Sequence, residues 1–188
     1  MEIFKFGGAS VKDAAGVKNV LEVLKTVGHE NVLLVISAMG KTTNALEIVI
    51  KNYFDKSNEL YASLQDIRKY HNQILLDLFE DEEHEVFFDI NAHFDDLEYF
   101  VRSNKSPNYP FVYDQIISIG ELVSTTIVSH YLNFAGISNQ WLDVRQYIKT
   151  DNNYRDANVD WEHTQKLISK INRKKSLFVT QGFIGADE

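Results

Sequence analysis

The chain has 188 residues, 44% hydrophobic and 24% charged, proportions that place it among ordinary globular proteins and away from disordered ones. Its 19 Lys and Arg against 27 Asp and Glu leave a net charge of −8, which repels phosphate backbones and anionic lipid heads and argues against a nucleic-acid or membrane partner. With no cysteine, disulfides, thiolate metal sites and a cysteine nucleophile are all excluded, as suits a reducing compartment.

Glu2–Phe6 is a short apolar run that meets Gly7 and Gly8, and predicts a strand ending in a sharp loop. Ser10 and Asp13 have capping-box spacing, after which Val17, Val20, Leu21, Leu24 and Val27 recur at helical period until Gly28. Val32–Ile36 is continuously apolar, as in a central parallel strand, and too short to span a bilayer. The first 37 residues therefore read as a β-α-β unit, and the absence of a targeting pattern before it predicts a cytoplasmic protein. Ser37–Thr43 is a small-residue loop, and Asn44 with Glu47 offers a cap for a helix to about Phe54. Apolar faces over Ser57–Phe79 and Val86–Val101 predict two long helices forming an antiparallel hairpin inserted between strands. Pro107 and Pro110 bracket a predicted loop, and Phe111–Phe134 is apolar almost all round, as a helix central to the domain would be. Gln140–Val144 reads as a strand, Asp160 as the cap of a helix through Ile171, and Leu177–Thr180 as a buried strand followed by a glycine-rich segment, Gly182 to Glu188. An α/β fold class follows, and the segment after the last strand predicts an interrupted domain.

Three places could carry chemistry. Lys5, Gly7, Gly8 and Ser10 combine a cation at a strand end, glycine N–H groups able to approach an anion, and a helix start, which are the parts of a phosphate cradle. A tight turn with a surface lysine and Ser10 as an N-cap accounts for the same residues. Gly40-Lys41-Thr42 looks like the end of a P-loop, but Val35 stands where that pattern requires glycine. Ser37 and Thr43, at the carboxyl end of the second strand, are instead candidates for holding a small polar substrate in the crevice where open α/β sheets bind ligands. Glu121 is a carboxylate inside an apolar helix and needs a cation, either a lysine or arginine of the chain or the ammonium group of a substrate. The acids Asp81, Glu82, Glu83 and Glu85 read as a solvated helix-hairpin turn, and the six histidines show no metal-ligand spacing, so no metal site is assigned.

Four segments, KFGGASV (Lys5–Val11), SAMGKTTN (Ser37–Asn44), SIGELVST (Ser118–Thr125) and TQGFIG (Thr180–Gly185), together with WLDVR (Trp141–Arg145), stand in the order and spacing of aspartate kinases. The chain resembles that family along its whole length. The resemblance implies a three-layer α/β/α sandwich with a mainly parallel sheet, the amino-acid kinase fold. It also implies transfer of the γ-phosphoryl of ATP, with Mg2+, to the β-carboxylate of L-aspartate in a homo-oligomeric parent enzyme of amino-acid biosynthesis. By the same resemblance Lys5 neutralises the transferring phosphoryl group, Gly7 and Gly8 donate to phosphate, Ser37 and Thr43 sit at the aspartate site, Glu121 binds the substrate ammonium and Phe183 lines the pocket. Ala9 stands where the family usually has threonine. Residues 1–188 correspond to the N-terminal portion of one catalytic domain, without the nucleotide-binding half and the ACT regulatory domains, so the chain alone is expected to be inactive. Fusion of the parent to homoserine dehydrogenase stays open. The alternatives are a kinase of the same fold with another carboxylate or carbamate acceptor, and a non-catalytic amino-acid-binding module.

Overall fold

The computed structural model describes residues 1–79, 81, 83–171 and 177–187, so Glu82 and Glu188 lie outside the described residues. Four strands form one sheet: β1 (Glu2–Phe6), β2 (Val32–Ile36), β3 (Gln140–Leu142) and β4 (Leu177–Gln181). They lie in the order β1-β2-β4-β3, and every neighbouring pair is parallel. The register sets Phe6 beside Ile36 and Ile36 beside Gln181, so the loops after these strands open on one edge of the sheet.

Alternation along β2 sends Val32, Leu34 and Ile36 to one face, where they are fully buried, and Leu33 and Val35 to the other. The first face packs under a thick helical layer: α1 (Ala14–Val27), α2 (Thr42–Phe54), α3 (Leu60–Phe79), α4 (Glu85–Ser103) and α5 (Tyr109–Phe134). The second face is covered more thinly. Ile168 of α6 (Trp161–Ile168) meets Leu33, Leu142 and Phe178 around an apolar cavity of about 170 Å³, while Ile3 on β1 remains 65% exposed. The three layers expected for this fold are thus present, with an uneven pair of outer layers.

The inserted hairpin is antiparallel as its periodicity predicts: Gln65 Nε2 donates to Glu98 Oε1 at 2.6 Å, and Arg68, three residues further along α3, reaches back to Asp95 and to the Asn91 carbonyl on α4. α5 is long and apolar enough to cross a membrane, yet most of it is buried within the fold. Its buried residues run from Val112 to Leu132 and touch α1, α2, α3, α4 and three strands, β2, β3 and β4.

Several boundaries differ from the sequence expectation. The chain after β1 first tightens into a 3-10 turn, Gly8–Val11, closed by the Ser10 N–H donating to the Gly7 carbonyl at 2.9 Å. Ser10 is therefore not the cap of α1; Asp13 is, its carboxylate accepting from the Gly16 N–H at 2.8 Å. α2 begins at Thr42, ahead of the expected Asn44 cap, because the Thr42 hydroxyl is tied to the Met39 carbonyl at 2.6 Å. Pro110 lies in the first turn of α5, where a missing N–H costs no helical bond, and Asn108 caps that helix. Asp160 caps α6 as expected, but the helix ends at Ile168, short of Ile171. The cap assignment is testable by urea unfolding: Asp13→Ala should cost about 1 kcal/mol, and Ser10→Ala a few tenths at most.

Candidate functional site

The five sequence segments converge at the carboxyl edge of the sheet. The first contact joins the loops after β1 and β2. A β-carbon on Gly8 would collide with the Ala38 carbonyl oxygen and lie 3.1 Å from that of Gly40, so only glycine lets these backbones meet. Gly40 donates its N–H to the Gly8 carbonyl at 2.9 Å and takes φ +56°, which a side chain would oppose. The Ser37 N–H donates to the Phe6 carbonyl at 3.0 Å, extending the β1–β2 ladder into the loops.

α5 lies beneath them. Gly120 rests against Ala38, Thr42 and Leu46, and the Ser124 hydroxyl donates to the Ser37 carbonyl at 2.7 Å. One turn on, Thr125 Oγ1 donates to the Glu121 carbonyl at 2.8 Å and receives both the Trp141 indole N–H at 2.9 Å and the Gln181 amide at 2.7 Å. Gln181 Oε1 in turn accepts from the Val144 N–H at 2.8 Å. Ser124, Thr125 and Gln181 stand inside the recognised segments but carry no role in the sequence reading, because their partners come from other segments.

Glu121 lies on α5 against the loop after β2, beside the Ala38 N–H. It is only 6% exposed; the Ala38 N–H bonds its carboxylate, and Oε2 has no partner. Among the described residues no Lys, Arg or His lies within 4.0 Å of it. Burial raises its pKa above the ordinary carboxylate value, and the Ala38 hydrogen bond offsets only part of that rise. Among the described residues, then, no internal cation, the structural explanation for a carboxylate here, stands beside it.

The other candidates stand on β1, on the loops after β1, β2 and β4, and at the start of α2. Ser37 and Thr43 are half-buried, Thr43 in the first turn of α2. Gly7 and Ser10 are exposed, and Gly8 is half-buried between the loops. Lys5 is exposed on edge strand β1, paired in register with Val35. Phe183 follows β4, 87% exposed and at φ +70°, and is not enclosed by a pocket. Among the described residues no group of three or more His, Asp or Glu side chains converges as a metal site.

Two further residues hold the loops from behind and carry no sequence signal beyond helical period. The Tyr70 hydroxyl on α3 donates to the Lys12 carbonyl and lies 2.6 Å from where a β-carbon on Gly40 would sit. His71, fully buried, has Nδ1 2.8 Å from the Ile67 carbonyl and Nε2 3.3 Å from Thr42 Oγ1. Burial pushes the His71 pKa down to about 4 against the opposing Ile67 hydrogen bond, so the ring is neutral at pH 7.

The amino acid kinase family model matches residues 1–188, and the chain belongs to that family. It is 26% identical over 186 residues to the bifunctional aspartokinase/homoserine dehydrogenase 2 of Escherichia coli, covering 97% of this chain and 22% of that protein. It is also 26% identical over 185 residues to an aspartokinase of Chlamydia trachomatis, covering 98% of this chain and 40% of the relative. The crystal structure of E. coli aspartokinase III in complex with lysine and aspartate superimposes with a TM-score of 0.88 at 26% identity, over all of this chain and 42% of that one. The same enzyme in complex with aspartate and ADP gives a TM-score of 0.87 over 41% of its length. The chain therefore spans about a fifth to two fifths of the proteins it matches.

Two outcomes follow from the site. Gly8→Ala should destabilise the chain by about 1 to 3 kcal/mol in urea unfolding, since the displaced atoms are backbone. For His71, the folded pKa lies below the unfolded one, so its contribution is present above pH 6.5 and is lost as pH falls towards 4. A His71→Gln variant should lose up to about 3 kcal/mol less stability than the parent chain across that window, read from unfolding curves at pH 7 and pH 4.

Proposed function

We propose that this chain carries the acceptor-binding part of an aspartate kinase, whose full reaction moves the γ-phosphoryl of MgATP to the β-carboxylate of L-aspartate, giving 4-phospho-L-aspartate and ADP. The observation that carries the reading is the buried carboxylate of Glu121, which has no cation within 4.0 Å among the described residues and an Oε2 without a partner. An α-ammonium group satisfies that oxygen and favours the charged carboxylate against the burial that disfavours it, so binding and ionisation reinforce each other. The relatives support this choice of acceptor: one solved neighbour is an aspartokinase in complex with aspartate and ADP.

The remaining roles follow the resemblance to aspartate kinases. Ser37 and Thr43 border the acceptor and offer hydroxyl groups to its carboxylates, and Phe183 forms an apolar side of the pocket as it closes. The backbone of Gly7 and Gly8 brings N–H groups towards the transferred phosphoryl group, and Lys5 neutralises charge on it. Such a site works by position and electrostatics, since phosphoryl transfer asks little covalent chemistry of a protein. Among the described residues no group of three or more ligating side chains converges, so the magnesium ion would be held mainly by the nucleotide phosphates. We read residues 1–188 as one portion of a single kinase domain, the nucleotide half and ACT regulatory domains belonging to the longer protein.

Hydroxylamine trapping tests the reading, because it converts an acyl phosphate to a coloured hydroxamate. With MgATP and L-aspartate, a chain extended to the length of its relatives should give hydroxamate, and residues 1–188 alone should give none. In the extended chain Glu121→Gln should raise the KM for aspartate at least tenfold with a smaller change in kcat, whereas Lys5→Ala should lower kcat about a hundredfold. Product from glutamate or a carbamate in place of aspartate, with aspartate inert, would move the assignment to another acceptor.

A further inference from the structure

A second cavity, of about 940 Å³, opens between α2 and α3 on the far side of the Gly40–Thr42 loop. Its volume falls within the range of small-molecule sites. The two helices run antiparallel, since Thr42 at the start of α2 meets His71 near the end of α3, and Asn52 near the end of α2 donates to Ser63 Oγ at 3.3 Å. The floor is apolar, formed by Ala45 and Ile48 of α2 and by Ala62 and Ile67 of α3; Ile48 is 55% exposed there.

Charges of both signs line it. Lys12 and Lys41 line the end next to Tyr70 and Gly40, and Asp66 and Glu59 follow along the α3 side. At a rise of about 1.5 Å per residue, Asp66 lies roughly 6 Å, and Glu59 roughly 16 Å, along the α3 axis from Tyr70. Among the described residues none of these four has an opposite charge within 4.0 Å. Asp13, the fifth charge on the wall, is already engaged as the cap of α1. A groove with an apolar floor, two unpaired ammonium groups at one end and two unpaired carboxylates further along is complementary to one kind of ligand.

We propose that the α2–α3 groove binds a small dipolar molecule, its acid group between Lys12 and Lys41, its ammonium group at Asp66 or Glu59, and its hydrocarbon stem along the apolar floor. The wall at the acid end is also the back of the candidate site. Tyr70 lines the groove, bonds the Lys12 carbonyl and abuts Gly40, whose N–H is bonded to Gly8. A ligand seated against Tyr70 and Lys41 therefore restrains the same loops that form the phosphate-facing turn, and the two sites are coupled reciprocally.

The test uses residues 1–188 and the probes 6-aminohexanoate and 8-aminooctanoate, with hexanoate and hexylamine as single-charge controls, in calorimetric titration. At least one dipolar probe should bind saturably, one to one, and at least tenfold more tightly than either control. Ala62→Trp, which fills the groove from an exposed position, should abolish that binding, and Ile48→Asp should weaken it at least tenfold; circular dichroism checks that each variant is folded. In hydrogen exchange, the bound probe should slow the amides of residues 8–11 and 40–42, and Tyr70→Phe should keep the binding while losing that protection. Equal binding of hexylamine or hexanoate, no saturable binding, or binding that survives in folded Ala62→Trp and Ile48→Asp would overturn the site. Protection that persists in Tyr70→Phe would overturn its coupling through the tyrosine. None of these readouts involves aspartate or a nucleotide, so they stand apart from the kinase assignment.

Discussion

Everything at the functional edge depends on two backbone loops being allowed to touch. The carbonyl oxygens of Ala38 and Gly40 occupy the space that any side chain at residue 8 would need. With that approach permitted, Gly40 bonds Gly8 and the turns after β1 and β2 become one surface. Close packing offers no cheap substitute: the atoms in the way belong to backbone, which cannot rotate aside as a flexible side chain does.

The long helix α5 then turns this surface into a site. Its apolar residues fill the core between the sheet and the α-helical layer, and its few polar ones are spent on tertiary bonds. Ser124 holds the β2 loop, and Thr125 gathers Trp141 and Gln181 from the two strands at the other side of the sheet. Glu121 is the exception on this helix, a carboxylate with one oxygen left over. In a helix whose other buried polar groups are paired, that oxygen marks where the chain leaves a bond for something else to make.

Much of this was legible in the sequence, for identifiable reasons. Strands and helices follow from hydrophobic period, which survives any tertiary detail, and the β-α-β opening, the hairpin and the all-round apolar α5 were all read from it. Glu121 stood out because a carboxylate in an apolar run is conspicuous; the absence of a cation beside it among the described residues was not legible, since that depends on how many segments pack together. The misplaced caps have a local cause. Ser10 and Asp13 are equally good capping residues, and only the 3-10 turn that consumes the Ser10 N–H decides between them. Tyr70 and His71 were invisible for a different reason: on a helical wheel they are a surface tyrosine and a core histidine, and their bearing on Lys12, Gly40 and Thr42 exists only once α3 is laid against the loops.

The strand order carries a consequence for how such a chain assembles. β1 and β2 are joined by a single helix and can pair early, as can the helices that follow, whose contacts are close in sequence. β4 sits beside β2 inside the sheet, yet residues 37–176 separate the two strands along the chain. Until β4 is made, β2 presents a bare, strongly apolar edge, and a long loop must close to cover it. On a ribosome that interval is the period of greatest exposure to wrong partners, and the helical layer built in the meantime shields one face of β2 but not its open hydrogen-bonding edge.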